Sequence, residues 1–391
     1  MSDIKSMPSL VVGGALFGLL KRLGLCDDDL GRWRRRIVVI VAIVWLPLLL
    51  LSLAEGLAVG GTTMPFLHDV DTAVRYLVAL PLLIFAEVLV HRRFPQAMAR
   101  FRERGLVNGA QAAEFDRAIA STRRWIEAPG VEWLLLAFVY IVGVGGIWRN
   151  VSALEIDTWD AIAEHGRLIP RWPGYWMGLV SVPLFQFLLL RWYYRIALWW
   201  ILMWRLSRLN LSFQPLHPDK AGGLGFLAQF ALAFAPLLMA EGSMAAGWIA
   251  GQIFFSGAHL LQFKLDLVAA VVVAVFFVLG PLLTFAPGLA EAKRLGLSAM
   301  GGLAMRYVGE FREKWLLPGQ SAGESPLGSG DIQSLADLGN SYAGLQQMRI
   351  VPFGSQTVLK LAVAVLAPVA PLSLTMISAE ELINRILELL L

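Results

Sequence analysis

Glu241 is the only charged residue between Leu224 and Phe263, an apolar stretch long enough to cross a bilayer. Its side chain reaches neither end of that stretch. An ionised carboxylate inside hydrocarbon costs several kcal/mol unless water, an ion or a counter-charge accompanies it. Such a group can bind an ion or relay a proton. It can equally be a neutral or paired carboxylate that fixes helix packing. Gln252 lies about three turns further along the same helical face and adds a second polar group there.

Other ionisable residues sit nearer the ends of apolar runs. Glu87, Arg191 and Arg195 fall toward one side of the bilayer, and Glu55 and Arg75 toward the other. Each set can pair into a charge layer. The two layers read either as gates along a polar path or as snorkelling ends and helix-positioning ion pairs.

A third feature is the segment HPDKAGGLGF, His217 to Phe226, immediately before the fifth apolar run. Gly222, Gly223 and Gly225 allow backbone N–H groups to turn outward at a helix start, and Lys220 adds charge, so an anion can dock there. Alternatively Asp219 caps the helix and the glycines permit close packing. His217 beside Asp219 suggests a metal site or an acid–base pair, but no second histidine stands at ligand spacing. No strand precedes the glycines, which excludes a dinucleotide fingerprint. His68, Asp69, Asp71, Asp160, Glu164, His165 and His259 are spread over the outer loops in the manner of ordinary solvated loops. The reading therefore assigns no catalytic residue, no metal and no cofactor. Cys26 is the only cysteine, so no internal disulfide forms.

The elements that must position these residues follow from composition. Hydrophobic residues are 57% of the chain and charged ones 16%, which predicts an all-α, polytopic membrane bundle. About seven spans are expected: Ile37 to Ala54, Thr72 to Val90, Val131 to Trp148, Tyr175 to Leu209, Leu224 to Phe263, Leu267 to Ala290 and Leu361 to Ala379. The fourth exceeds a bilayer's thickness, so its tail should protrude, with Trp192, Tyr193, Tyr194, Trp199, Trp200 and Trp204 as an aromatic belt. Prolines interrupt six spans: Pro47, Pro81, Pro183, Pro236, Pro281, and Pro368 with Pro371, which can make the last segment re-entrant. Leu16, Phe17, Leu19 and Leu20 before Lys21 and Arg22 predict a short surface helix.

Lys and Arg set the expected orientation. Segments 1–36, 91–130, 204–225 and 287–357 hold 24 of them, and 57–74, 149–174 and 255–265 hold 4, which places the amino terminus in the cytoplasm. The same clustering accounts for the net charge of +4 without nucleic-acid binding. The chain divides into a cytoplasmic segment 1–36, a six-span bundle 37–290 with a helical cytoplasmic loop 91–130, a cytoplasmic helical region 291–357, and a last span with an amphipathic tail 358–391. Within 291–357 a Gly/Ser/Pro linker near Pro318 to Gly330 precedes an amphipathic helix bearing Ile332, Leu335, Leu338, Tyr342, Leu345 and Met348 on one side. The tail opposes Leu382, Ile383, Ile386 and Leu390 to Glu381, Arg385 and Glu388.

HPDKAGGLGF and the later run DIQSLADLGNSYAGLQQMRIVPF resemble stretches of an uncharacterised family of bacterial multi-pass inner-membrane proteins. The resemblance extends over most of the chain. It implies a bacterial origin and an inner-membrane location, and it transfers no activity to any residue.

Three functions are thus open. The first is passage or sensing of a small solute or ion along a path lined by Glu241 and the charge layers. The second is a membrane scaffold or signalling subunit whose Ile332 to Met348 face recruits a cytoplasmic protein. The third is an interfacial lipid-modifying enzyme using His217 and Asp219. The bilayer itself is the expected partner. A second copy of the chain can pack on the small-residue face Gly242, Ala246, Gly247, Ala250 and Gly251.

Overall fold

Apolar runs of this length satisfy their backbone only within themselves, and the chain is accordingly almost all helix. The computed structural model describes residues 9–145, 157–164, 167–317, 325 and 328–376. In order come α1 (Gly14–Arg22), α2 (Trp33–Ala54), α3 (Val70–Glu103), α4 (Gly109–Glu127) and α5 (Pro129–Gly143). Next are a hairpin of β1 (Ala161–Glu164) and β2 (Arg167–Pro170), then α6 (Trp172–Ser207), α7 (Phe226–Ser256) and α8 (Leu260–Trp315). The chain continues as α9 (Asp331–Gln346), α10 (Ser355–Leu366) and a 3-10 turn, Ala370–Met376. Five helices are long and apolar enough to cross a membrane: α2, α3, α6, α7 and α8. The number rises to seven if two bent pairs each make one span, α4 with α5 (49°) and α10 with the 3-10 turn (59°).

Burial separates centre from rim. α7 is the most enclosed span, 67% buried over its most apolar window, and it packs against α3 and α10. Gly242 allows that approach, because a Cβ there would run into the Val365 carbonyl of α10. α2 is 22% buried and turns Val38, Ile43, Leu46, Leu50 and Leu53 outward, as a helix facing acyl chains does.

The prolines explain how long apolar helices stay satisfied. A proline ring displaces the carbonyl four residues earlier, so the helix re-registers or the freed carbonyl needs another donor. π turns at Arg75–Ala79 and Met177–Ser181 directly precede Pro81 and Pro183, and 3-10 turns at Leu232–Phe234 and Gly280–Phe285 accompany Pro236 and Pro281. Pro47 frees the carbonyl of Ile43, which accepts from Trp176 Nε1 at 3.2 Å. Pro281 likewise frees Phe277, whose carbonyl accepts from Trp200 Nε1 at 2.9 Å. Both indoles belong to α6, which thereby ties two proline-broken spans to itself.

Several expectations need correction. The fold is not purely helical: β1 and β2 pair antiparallel from Ala161↔Pro170 to Glu164↔Arg167. Trp159 packs at this hairpin's foot with its Nε1 donating to Asp69 at 3.0 Å. The tail of α6 does not protrude bare, since Leu202, Met203 and Leu206 are fully buried against α4 and the 280–285 turn. Nor do its aromatics form one interfacial belt: Trp192 and Trp199 are buried and hydrogen-bond to the Leu83 and Val278 carbonyls, while Trp204 remains half exposed. Around position 290 the chain is continuous helix, since α8 runs on to Trp315, so the helix itself marks no division there. The Ile332 to Met348 face is partly covered: α9 folds back on α8, Leu345 and Met348 are buried, Leu335, Leu338 and Tyr342 are half-buried, and Ile332 stays exposed. The short amino-terminal helix is present as α1, preceded by buried Leu10 and Val11. The amphipathic tail, Glu164's side chain, His165 and most of the 318–330 linker lie outside the described residues.

Candidate functional site

Two charged centres emerge. The first gathers Glu87 of α3 with Arg36 of α2 and Arg191 and Arg195 of α6. Arg36 Nη2 pairs with Glu87 Oε2, while Arg195 Nη1 and Arg191 Nη1 reach Oε1 at 2.6 and 3.4 Å. Arg191 Nε also meets Glu132 Oε1 of α5 at 2.8 Å. All five side chains are at most 10% exposed. Three cations against two carboxylates leave one positive charge over, and neutral backbone oxygens take it up. Arg36 donates to the Ile84 carbonyl at 3.3 Å and Arg195 to the Val11 carbonyl at 3.0 Å. α1, packed on α5, seals the centre, because Leu16 N in its first turn donates to Glu132 Oε2 at 2.6 Å. The adjoining cavity, lined by Val11, Glu132, Arg191 and Arg195, has about 10 Å³, room for no more than one water. A centre closed in this way locks four helices together. Its five side chains face one another and backbone oxygens, and Glu132 also lines a cavity of about 430 Å³ beside α1.

The inner layer expected from Glu87, Arg191 and Arg195 therefore does assemble, with two members that sequence reasoning missed. Arg36 carried a legible signal. It lies on a stripe spaced every four residues, Arg36, Ile40, Val44, Leu48 and Ser52, which is the buried face of α2. Glu132 had none, because an acidic residue in the first turn of a helix is the ordinary partner of the helix dipole.

The outer residues do not form a second layer. Arg75 pairs with Asp71 one turn away on α3, and Glu55 Oε1 accepts from the Trp172 backbone N–H at 3.3 Å. Glu241 is half-buried, and its hydrogen-bonding neighbour is the Tyr193 hydroxyl of α6. It shares the open side of α7 with Gln252, Trp248 and Phe255, the last two about half exposed. The lone carboxylate thus lies off the packed axis of the bundle, apart from the Glu87 centre. Among the described residues no three His, Cys, Asp or Glu side chains gather at metal-binding spacing.

The second centre is HPDKAGGLGF, at the basic end of the bundle. Asp219 Oδ1 accepts from the N–H groups of Ala221 and Gly223 at 2.9 and 3.1 Å, and Oδ2 from Gly225 at 2.9 Å. Gly222 and Gly223 adopt left-handed φ of 62° and 94°, which turns those N–H groups toward the carboxylate. The anion docked on these glycines is the chain's own Asp219. Burial alone would raise its pKa. The hydrogen bonds from Ala221, Gly225 and Gly223, with His217 alongside, outweigh that and hold it below the ordinary carboxylate range. His217 Nδ1 stands 3.0 Å from Asp219 Oδ1, but that oxygen is already engaged by two backbone donors, so the pair holds a loop rather than an activated base.

The same loop binds the end of the other run singled out in the sequence. Arg349 N donates to the Lys220 carbonyl at 2.7 Å, Arg349 Nη2 to the Asp219 carbonyl at 2.9 Å, and Lys220 Nζ to Gln347 Oε1. Lys293 of α8 adds a bond to the Met348 carbonyl at 2.7 Å. Two stretches more than a hundred residues apart are thereby one structural unit. From the residue that ends α3, Arg104 Nη1 joins it through Asp219 Oδ2 at 2.9 Å and the Gly223 carbonyl at 2.7 Å.

Comparison with protein-family models, with curated proteins and with solved structures returns no match to this chain.

Proposed function

We propose that the protein is a fixed membrane platform that presents its helical arm to a cytoplasmic partner, and not a conduit. It would sit in a bacterial inner membrane with its amino terminus inside, as the one-sided distribution of Lys and Arg favours. The observation that carries the reading is the closed Glu87 centre. Charges lining a conduction path must be reachable by water, whereas these five are spent on one another and on backbone. The part of α8 from Ala286 to Trp315 extends roughly 45 Å at helical rise, with Leu289 as its one buried residue. α9 covers one side of it. Leu303, Met305 and Val308 remain exposed on the rest.

Crosslinking in intact cells followed by purification should yield a protein joined to the arm. Leu303→Glu with Met305→Glu should abolish that crosslink while leaving the thermal unfolding of the bundle unchanged. A crosslink that survives both substitutions argues against the platform.

A second reading, ion or proton passage, is favoured by Glu241 facing Tyr193 on the open side of α7. Proteoliposomes holding a pH gradient separate the two. A platform holds the gradient as well as empty liposomes do. A leak that Glu241→Gln removes would establish passage.

A further inference from the structure

Beside the Asp219 loop lie two adjoining cavities, of about 580 and 330 Å³, that share Phe226, Gln229 and Leu232 of α7. The larger is lined by Arg104, Arg349 and Lys360, the smaller by Arg93 and Arg100. Asp219 is the only carboxylate on either wall, and Arg104 and its own loop already neutralise it. The other four cations are held by neutral groups or face the opening. Arg93 and Arg100 donate to the backbone and side-chain oxygens of Gln229 at 3.5 and 3.3 Å, and Arg349 to the Asp219 carbonyl. Among the described residues no carboxylate pairs with Arg93, Arg100, Arg349 or Lys360. The first turn of α10, from Ser355 to Thr357, completes the wall and adds the positive end of a helix dipole.

We propose that this cleft binds a phosphate group. Several uncompensated cations around one concave space match a compact, multiply charged anion. Arginine forks fixed by Gln229 and Asp219 suit the tetrahedral oxygens of phosphate, where a single carboxylate would leave most of the donors unused. The site does not depend on the platform reading. It differs from ordinary basic residues at a membrane edge because its cations come from α3, the 349 turn and α10, and because two of them are oriented by the same glutamine. Two sources carry such a group at this depth, a free phosphate compound and the headgroup of an anionic lipid.

The full-length protein in neutral detergent, titrated with inorganic pyrophosphate by calorimetry, tests the first source. Nanodiscs of phosphatidylcholine with and without phosphatidic acid, followed by detergent transfer and mass spectrometry of the retained lipid, test the second. Saturable binding in at least one arm is expected. The double variant Arg93→Ala, Lys360→Ala should weaken it about tenfold or more. Both residues are exposed, and gel filtration confirms that the variant folds. Arg117→Ala, which removes an arginine 75% exposed on α4, should leave binding within about twofold. The proposal is overturned if neither probe saturates, or if Arg117→Ala weakens binding as much as the double variant.

Discussion

The Glu87 centre and the Asp219 loop solve the same problem, an enclosed carboxylate, by different means. Glu87 is held by guanidinium groups from two other helices, and the arrangement closes because each of the three reaches its carboxylate, with only Arg36 Nε left unpartnered there. Asp219 is held mainly by backbone N–H groups within six residues of it, and Arg104 is the one side chain from another helix spent on it. Side-chain pairing between helices fastens the bundle and turns its arginines inward, onto carboxylates and backbone oxygens. Backbone pairing within a loop spares the surrounding arginines, and at Asp219 they line an open cleft instead. The two centres are therefore a lock and a rim, and substitution at each should show it.

Glu87→Ala should have the largest effect. It strands the buried guanidinium groups of Arg36 and Arg195 and leaves Arg191 to Glu132 alone, and breaking a buried ion pair from one side costs about 3–5 kcal/mol. The expected outcome is loss of monodisperse protein, or a steep fall in the unfolding temperature in detergent. Adding Arg195→Gln to Glu87→Gln should recover part of that loss by removing a stranded charge. A Glu87→Ala protein that unfolds like the parent would show that the centre fastens nothing.

Asp219→Ala should cost less, about 2–3 kcal/mol, because its partners lie nearer water and backbone donors can rehydrate. The effect also has a pH signature. The folded carboxyl titrates below the ordinary range, so its contribution is full above the unfolded value and disappears as pH falls through the folded one. The difference in unfolding temperature between parent and Asp219→Ala should be constant from neutral to weakly acidic pH and shrink on further acidification. A difference that grew with acid would mean that burial outweighs the loop's donors.

How much of this was legible in the sequence depends on which neighbours decide each element. Span lengths and proline positions are local, and the helices fall where hydropathy places them, with α1 and α6 close to expectation. Glu87, Arg191 and Arg195 came together because each lay near the same end of its span. Pairings chosen by tertiary contact were not legible. Arg75 takes Asp71 over Glu55, the Leu345 and Met348 end of α9 packs inward where α9 meets α8, and Trp192 and Trp199 leave the interface for carbonyls inside the bundle. The hairpin was missed because AIAE and RLIP are short and flank a polar tip, so no alternating pattern rises above the loop around them. The Asp219 loop was read as a place for an outside anion. Spacing shows that glycine N–H groups can turn outward. It does not show that the loop curls far enough for its own carboxylate to meet them.

The finest distinction lies inside that loop, between two residues with nearly the same backbone. Lys220 and Gly222 both adopt left-handed φ, 52° and 62°. Lys220 is exposed and is held through its carbonyl by Arg349 N, so Lys220→Gly removes a strain of about 1–2 kcal/mol while adding the chain entropy of glycine and losing the exposed bond from Nζ to Gln347. These terms nearly cancel, and stability should stay within about 1 kcal/mol of the parent. Gly222 is different: a Cβ there would stand 2.9 Å from Leu289 Cδ2 on α8 and 3.2 Å from Met348 Cε. Gly222→Ala adds that crowding to the backbone strain and should cost about 1–3 kcal/mol. It should also loosen the contact between the loop and the 347–349 turn, visible as faster hydrogen exchange at Arg349 N. Equal effects at the two positions would mean that α8 and the turn do not clamp the loop, and the rim would then be no more than a flexible edge.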